Sequence, residues 1–280
     1  MVIPLGRRRD WVATLEGVED SSRAWNCCTM KRSVSATLIA LLLLLAVGTL
    51  GSCSSGDEGP SALPSAAVSP EVQMSNRLAM VQTQIAARGI KDSRVLEAMR
   101  TVPRHEFVPP AQVGRAYGDR ALPIGEGQTI SQPYIVALMT ELLDLQPGET
   151  VLEVGTGSGY QAAVAAELTD RVYTVEILPG LEERAARTLD RLGYADVQTK
   201  NADGYFGWAE HGPYDAIIVT AAPDHIPAPL VGQLKEGGHM VIPIGPPGSY
   251  QTLWRFTKEH GKVVSENIID VVFVPLVRES

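Results

Sequence analysis

From Thr150 onward the chain alternates short apolar runs with helical stretches, and the first apolar run empties into a loop carrying three glycines. Val151-Leu152-Glu153-Val154 predicts a strand, Gly155-Thr156-Gly157-Ser158-Gly159 a tight turn, and Tyr160 to Leu168 a helix. No other feature constrains the fold as much, because a strand feeding a helix through such a turn packs that helix back onto a parallel sheet. The alternation continues. Val172 to Val175 predicts a strand, Leu181 to Leu192 a helix closed by Gly193, and Val197 to Thr199 a short strand. Ala216-Ile217-Ile218-Val219 is apolar on both sides, as in a buried parallel sheet. Leu230 to Leu234 lies in a helix that Gly237-Gly238 is expected to end, before a strand at Met240-Val241-Ile242. Thr252 to Thr257 and Val263 to Val274, β-rich around Glu259-His260-Gly261, predict an antiparallel hairpin. The fold class is α/β, a doubly wound and mostly parallel sheet without an internal repeat.

Upstream of the sheet, Ser69-Pro70-Glu71 has the form of a helix start, with an N-cap, a proline at the first position and an acid in the first turn. Met74, Leu78, Val81 and Ile85 then recur at helical spacing up to Gly89. A second helix is expected from Ser93 to Arg100 with Asp92 as its cap, and a third from Tyr134 to Leu145. Between them lie a proline-rich stretch, Val102-Pro103-Arg104 to Val108-Pro109-Pro110, and the segment Ala121 to Pro133, which by itself reads as a glycine-proline loop across the sheet.

The residues before Pro70 belong to another kind of segment. Met30-Lys31-Arg32 leads into an uncharged stretch from Ser33 to Leu50, built around Leu38 to Leu45 and ending in Leu50-Gly51-Ser52-Cys53. Positive residues, a short apolar core and small residues before a cut site are the parts of a secretory signal. Leu-Gly-Ser-Cys resembles the bacterial lipobox, which makes Cys53 the lipid attachment site. A plain membrane anchor is the second choice, since the apolar run is short of the ~20 residues a spanning helix needs. With Met30 as the start, residues 1–29 are a mis-assigned extension, 30–53 the signal, 54–69 a flexible linker rich in Ser, Pro, Gly and Ala, and 70–280 the folded domain. All 3 cysteines (Cys27, Cys28, Cys53) precede that domain, so its chemistry uses no disulfide, thiolate metal site or cysteine nucleophile. A formal charge of −8 argues against a nucleic-acid partner.

Within the domain the glycine spacing is G-x-G-x-G, not the G-x-G-x-x-G of dinucleotide folds, which speaks against an oxidoreductase. Glu153 precedes the first glycine by two positions, Glu176 ends the second strand where an acid can hold a ribose, and Asn201-Ala202-Asp203-Gly204 closes the third. Together these resemble the class I S-adenosylmethionine (SAM) methyltransferases, with a Rossmann-like sheet. The resemblance implies that Glu153, Gly155, Thr156, Gly157, Ser158, Gly159, Glu176, Asp203 and Gly204 bind SAM. In that scheme free amides at the helix N-terminus meet the methionine part, Glu153 faces its ammonium, and Asp203 takes the adenine amino group. The five histidines are scattered, without metal-like spacing.

A closer resemblance runs in order from Met74 to Val277. Ala121-Leu122-Pro123-Ile124-Gly125-Glu126-Gly127-Gln128-Thr129-Ile130-Ser131-Gln132-Pro133 is its most specific part. It is joined by Val102-Pro103-Arg104, Leu152 to Gln161, Tyr214 to Ala222, Leu234 to Gly238, Pro243-Ile244-Gly245 and Phe273-Val274-Pro275-Leu276. These resemble the protein-L-isoaspartate O-methyltransferases. The resemblance implies methylation of the free α-carboxylate of isoaspartyl residues in aged proteins and peptides, which starts repair through a succinimide. Ser131 matches the family's active-site serine and is assigned to orienting the substrate carboxylate. Thr129 and Ile130 are expected to wall the pocket, with Val274, Pro275 and Leu276 supporting the substrate backbone. Ala202 departs from the family's usual glycine and is expected to crowd the adenine pocket slightly. The alternatives are another class I methyltransferase acting on a small molecule or RNA, and a non-catalytic envelope lipoprotein with this fold. The signal segment places the chain in the cell envelope, anchored only by its lipid. The cofactor loop argues for the cytosol, where SAM is made. The envelope is the adopted expectation, with the chain a monomer.

Overall fold

In the computed structural model, which describes residues 69–279, the chain enters through helix α1 (Pro70–Met80), whose first turn is capped by the Ser69 hydroxyl. The readings of a start at Met30, a signal, Cys53 lipidation and a linker lie outside the described residues. Helix α1 runs into a π-helical turn at Val81–Ile85 and a 3₁₀ turn at Ala86–Arg88, ended by Gly89 in the left-handed region. The buried positions are Gln73, Met80, Val81 and Ile85, while Met74 is 54% and Leu78 46% exposed. The expected stripe through Met74 and Leu78 is thus corrected. A π-helical turn takes about one residue more than an α-turn, so the faces before and after it are rotated out of line.

Helix α2 (Ser93–Thr101) is capped by Asp92, as expected. The segment expected as a loop is instead a two-stranded sheet, β1 (Leu122–Gly125) against β2 (Gln128–Ile130). Its turn needs positive φ at Gly125, Glu126 and Gly127, and Arg184 pairs with Glu126 at 2.8 Å to fix it. Helix α3 (Pro133–Leu143) stops two residues short of expectation, because Asp144 turns left-handed.

The remainder alternates: β3 (Thr150–Val154), α4 (Tyr160–Ala166), β4 (Arg171–Glu176), α5 (Pro179–Arg191), β5 (Gln198–Asn201), β6 (Tyr214–Val219), α6 (Ala228–Gln233), β7 (Leu234–Ile244), β8 (Gln251–Glu259) and β9 (Lys262–Val271). The seven strands pair in the order β5-β4-β3-β6-β7-β8-β9, parallel from β5 to β7 and antiparallel across β8 and β9. Each central strand feeds two cores. Val151, Ala216 and Ile218 point into the larger one, under α2 to α5, while Leu152, Val154, Ile217 and Val219 point into the smaller one, under α6. Burial on both faces is what a run of unbroken aliphatics requires.

One boundary differs from the sequence reading. Gly237-Gly238 do not end a helix; they lie within β7, in a bulge between the pairs Tyr214–Leu234 and Ala216–His239. A Cβ on Gly238 would stand 2.7 Å from the Asp215 carbonyl, so the close approach of β6 requires glycine there. The terminal strand is also shorter than expected. It ends at Val271, after which Val274 and Leu276 exchange backbone hydrogen bonds with Ala222 and bring the tail across the ends of the central strands.

Candidate active site

Strands β3, β4 and β6 are parallel neighbours whose carboxyl ends open on the same side, where strand order reverses about β3. Ligands of open α/β sheets bind at such a point. A cavity lies there, walled by Glu153 to Ser158, by Glu176 to Leu178 and Gly204, by Gln128 to Ser131, by Thr220-Ala221 and by the tail Val274 to Val277.

Glu153 is 1% exposed. Its Oε2 accepts from Thr174 Oγ1 at 2.6 Å, and that hydroxyl lies 2.6 Å from Thr156 Oγ1. Its Oε1 is buried with no partner among the described residues. Burial pushes the carboxyl up to about 8, with the Thr174 hydrogen bond opposing and the Glu176 charge adding to the rise. Glu176 accepts from Gly157 N at 2.9 Å and Leu178 N at 3.0 Å, one per carboxylate oxygen, so each oxygen keeps a lone pair for a further donor.

The glycine loop is wound tightly on itself. Gly155 has φ 100°, and a Cβ there would lie 2.5 Å from Thr220 Oγ1, which donates to the Gly155 carbonyl at 2.6 Å. The amides of Gly155 and Thr156 bond to the Val175 carbonyl, that of Gly157 to Glu176, that of Gly159 to the Thr156 carbonyl and that of Tyr160 to Ser158 Oγ. The loop spends these donors on its own shape, which narrows the expected supply of free amides to that of Ser158, for which there is no hydrogen bond among the described residues.

Ser131 follows β2. Its carbonyl accepts from Arg104 Nη2 at 2.6 Å, while its hydroxyl makes no hydrogen bond among the described residues. Gln132 donates to Asp119 Oδ1 at 2.7 Å, fixing the exit into α3. A second cavity lies on the far side of Ser131, reaching Gln132, Ile135, Tyr250 and Val272. It shares Thr129, Ser131, Thr220 and Val274 with the first.

Residues 75–280 match the family described as Protein-L-isoaspartate(D-aspartate) O-methyltransferase (PCMT). Protein-L-isoaspartate O-methyltransferase 2 of Shewanella sediminis is 56% identical over 200 residues, 71% of this chain and 82% of the relative. The enzyme of that name from Syntrophobacter fumaroxidans is 49% identical over 247 residues, 88% of this chain and 98% of its own. The chain belongs to the protein-L-isoaspartate O-methyltransferase family. A crystal structure of a putative Plasmodium falciparum protein-L-isoaspartate O-methyltransferase in complex with S-adenosyl-L-homocysteine, 27% identical, superposes with a TM-score of 0.65, covering 73% of this chain and 99% of that one.

Membership makes this chain a SAM-dependent methyltransferase, and its own cavity fits that cofactor. The unpaired Oε1 of Glu153 calls for a donor such as the ammonium of the methionine part. Glu176, with acceptor capacity left on each oxygen, fits a group that carries hydroxyl donors, as the cofactor's ribose does. A Cβ at Gly204 would stand 2.6 Å from Val154 Cγ1, so glycine is needed where the third parallel strand's end closes on the cavity.

Of the residues named from sequence, the cavity brings together Thr129, Ile130, Ser131, Glu153, Gly155, Thr156, Gly157, Ser158, Glu176, Gly204, Val274, Pro275 and Leu276. Two stand apart. Gly159 caps α4, and a Cβ there would press on Ala185 and Leu189 of α5 at 3.3 Å; it serves helix packing. Asp203 does not line the cavity. Its Oδ1 accepts from Tyr205 N at 3.0 Å and its Oδ2 from Arg278 Nε at 2.9 Å, with the guanidinium 3.6 Å over the Tyr205 ring. The Ala202 methyl packs against the smaller core and does not line this cavity. The contacts of Thr220 and Arg278 carry no signal in the sequence. Thr220 stands at the end of an apolar run, and Arg278 lies in a tail with no periodicity.

Proposed function

We propose that this family member transfers the SAM methyl group to the free α-carboxylate of isoaspartyl residues in aged proteins and peptides, with Ser131 orienting that carboxylate. The observation that carries the reading is the position of Ser131. It stands on the wall shared by the cofactor cavity and a second, open cavity, with its hydroxyl uncommitted among the described residues. A methyl donor on one side and a peptide on the other meet there.

When bound, SAM supplies an electrophilic methyl group and a neutral thioether as leaving group. The protein has little acid–base work to do, since a carboxylate is already ionised at neutral pH. What this chain's residues do is hold and exclude. Ser131 donates to one carboxylate oxygen and leaves the other free. Thr129, Ile130 and the Val274-Pro275-Leu276 tail keep water from the junction, where charge is neutralised as reaction proceeds. The tail reaches that position because its backbone is tied to Ala222 on both sides of Pro275.

Labelled SAM offered with paired peptides, alike except for isoaspartate or aspartate, tests the reading. Transfer to the isoaspartyl peptide alone is expected. Equal transfer to both, or none to the isoaspartyl peptide, overturns it. Lys31-Arg32, the Leu38–Leu45 run and Leu50 to Cys53 support a second proposal, that the chain is a lipoprotein of the cell envelope attached through Cys53.

A further inference from the structure

Arg104 is 0% exposed, in the 3₁₀ turn Arg104–Phe107. Burying a guanidinium is costly, and an apolar side chain of like size would serve stability as well or better. The residue stays charged nonetheless, since burial lowers its pKa only to about 10. Its contacts converge on the site. Nε donates to the Ala116 carbonyl at 2.8 Å and Nη2 to the Ser131 carbonyl at 2.6 Å, and the guanidinium carbon lies 4.9 Å over the ring of Tyr160, which walls the cofactor cavity. Nη1 is buried with no partner among the described residues, so the group is not paired as fully as a purely structural role would demand.

We infer that Arg104 is a positioning residue, which acts on methyl transfer through Ser131 by fixing the backbone carbonyl at the turn between β2 and α3. Without that bond the Ser131 peptide plane is free to rotate, and the hydroxyl swings with it, away from the junction of the two cavities. Only a planar fork spans Ala116 and Ser131 at once; a lysine ammonium reaches one or the other. The inference rests on the reading of Ser131 as the residue that orients the substrate carboxylate.

The test combines Arg104→Lys and Arg104→Gln with Ser131→Ala in the full chain, measuring kcat, peptide KM, SAM affinity by titration, and Tm. Arg104→Lys is expected to lower kcat by about 10- to 100-fold, the scale of a small misplacement of a reacting group, with SAM affinity within about twofold. On the Ser131→Ala background the same change should have no further effect, because the group being positioned is gone. Equal losses on both backgrounds, or a fall in Tm with kcat intact, overturn the inference. Failure of the Ser131 reading looks different: Ser131→Ala alone then turns over normally. If neither Arg104 variant folds, the unaltered enzyme decides. The Arg104 Nε resonance should shift on adding isoaspartyl peptide, and no shift under saturating peptide overturns the inference.

Discussion

Burial holds Glu153 neutral in the free enzyme below about pH 8, whereas in the unfolded chain the same carboxyl ionises near 4.5. The folded state therefore binds the extra proton between those values. The stabilising share of this group is complete below pH 4.5 and is lost as pH rises through 8. If Glu153 faces the SAM ammonium as proposed, binding reverses the preference, because a nearby cation favours the carboxylate. Binding should release a proton below pH 8 and tighten as pH rises towards it. Calorimetry in two buffers of different ionisation enthalpy checks the proton, and Glu153→Gln should abolish both the release and the pH slope while weakening SAM at pH 8. A wild-type affinity flat from pH 6 to 8 contradicts the pairing. Glu153 and Glu176 could be found in the sequence, since each is an acid at a strand's carboxyl end. Arg104 stands in one of the runs that carry the resemblance, but its role and that of Arg278 could not be read, because they depend on partners 27 and 75 residues away and no local pattern encodes such a distance.

At the level of elements, the parallel strands and the helices between them were legible because periodicity is a local property of burial on one or two faces. What was lost lay where two elements meet. The π-turn after α1 breaks the stripe that runs through Met74, and the β1–β2 pair is too short and too rich in proline and glycine to show alternation. The three loop glycines looked alike in the sequence and differ in the fold, which gives a test. Gly159 (φ 86°) touches α5 and no part of the cavity, whereas Gly155 (φ 100°) faces Thr220 on the cavity wall. A side chain in the left-handed region costs about 1–2 kcal/mol. Gly159→Ala should therefore lower Tm by about 2–8 °C with SAM affinity unchanged. Gly155→Ala adds a collision with Thr220 Oγ1 that displaces the loop itself, so SAM affinity should fall about tenfold or more. Thermal unfolding and SAM titration separate the two; equal SAM losses would mean that α4 packing, and not the loop wall, sets affinity.

For the whole molecule, location and chemistry draw on different residues, and that makes them separable. Every side chain assigned to the site, from Arg104 through Gln128 to Leu276, follows Cys53 by at least fifty positions, and the match to the family begins only at residue 75. Cys53→Ser should then leave kcat and SAM affinity of the purified protein unchanged, while moving the chain from the membrane fraction to the soluble fraction of its native host. The native N-terminal peptide, read by mass spectrometry, is expected to begin at Cys53 and to carry the mass of attached acyl chains. Peptides from upstream of Met30 in the mature protein, or an unmodified Cys53 in a soluble pool, would defeat the lipoprotein proposal and leave the methyltransferase untouched. The converse also holds: a lipidated chain that binds no SAM would keep the signal reading and remove the catalytic one. A charged, cell-made cofactor has to reach an enzyme held outside the cytosol, so the proposed envelope location carries its own demand. Turnover measured on intact cells should then follow SAM added outside, whereas a cytosolic enzyme, screened by the membrane, should not respond.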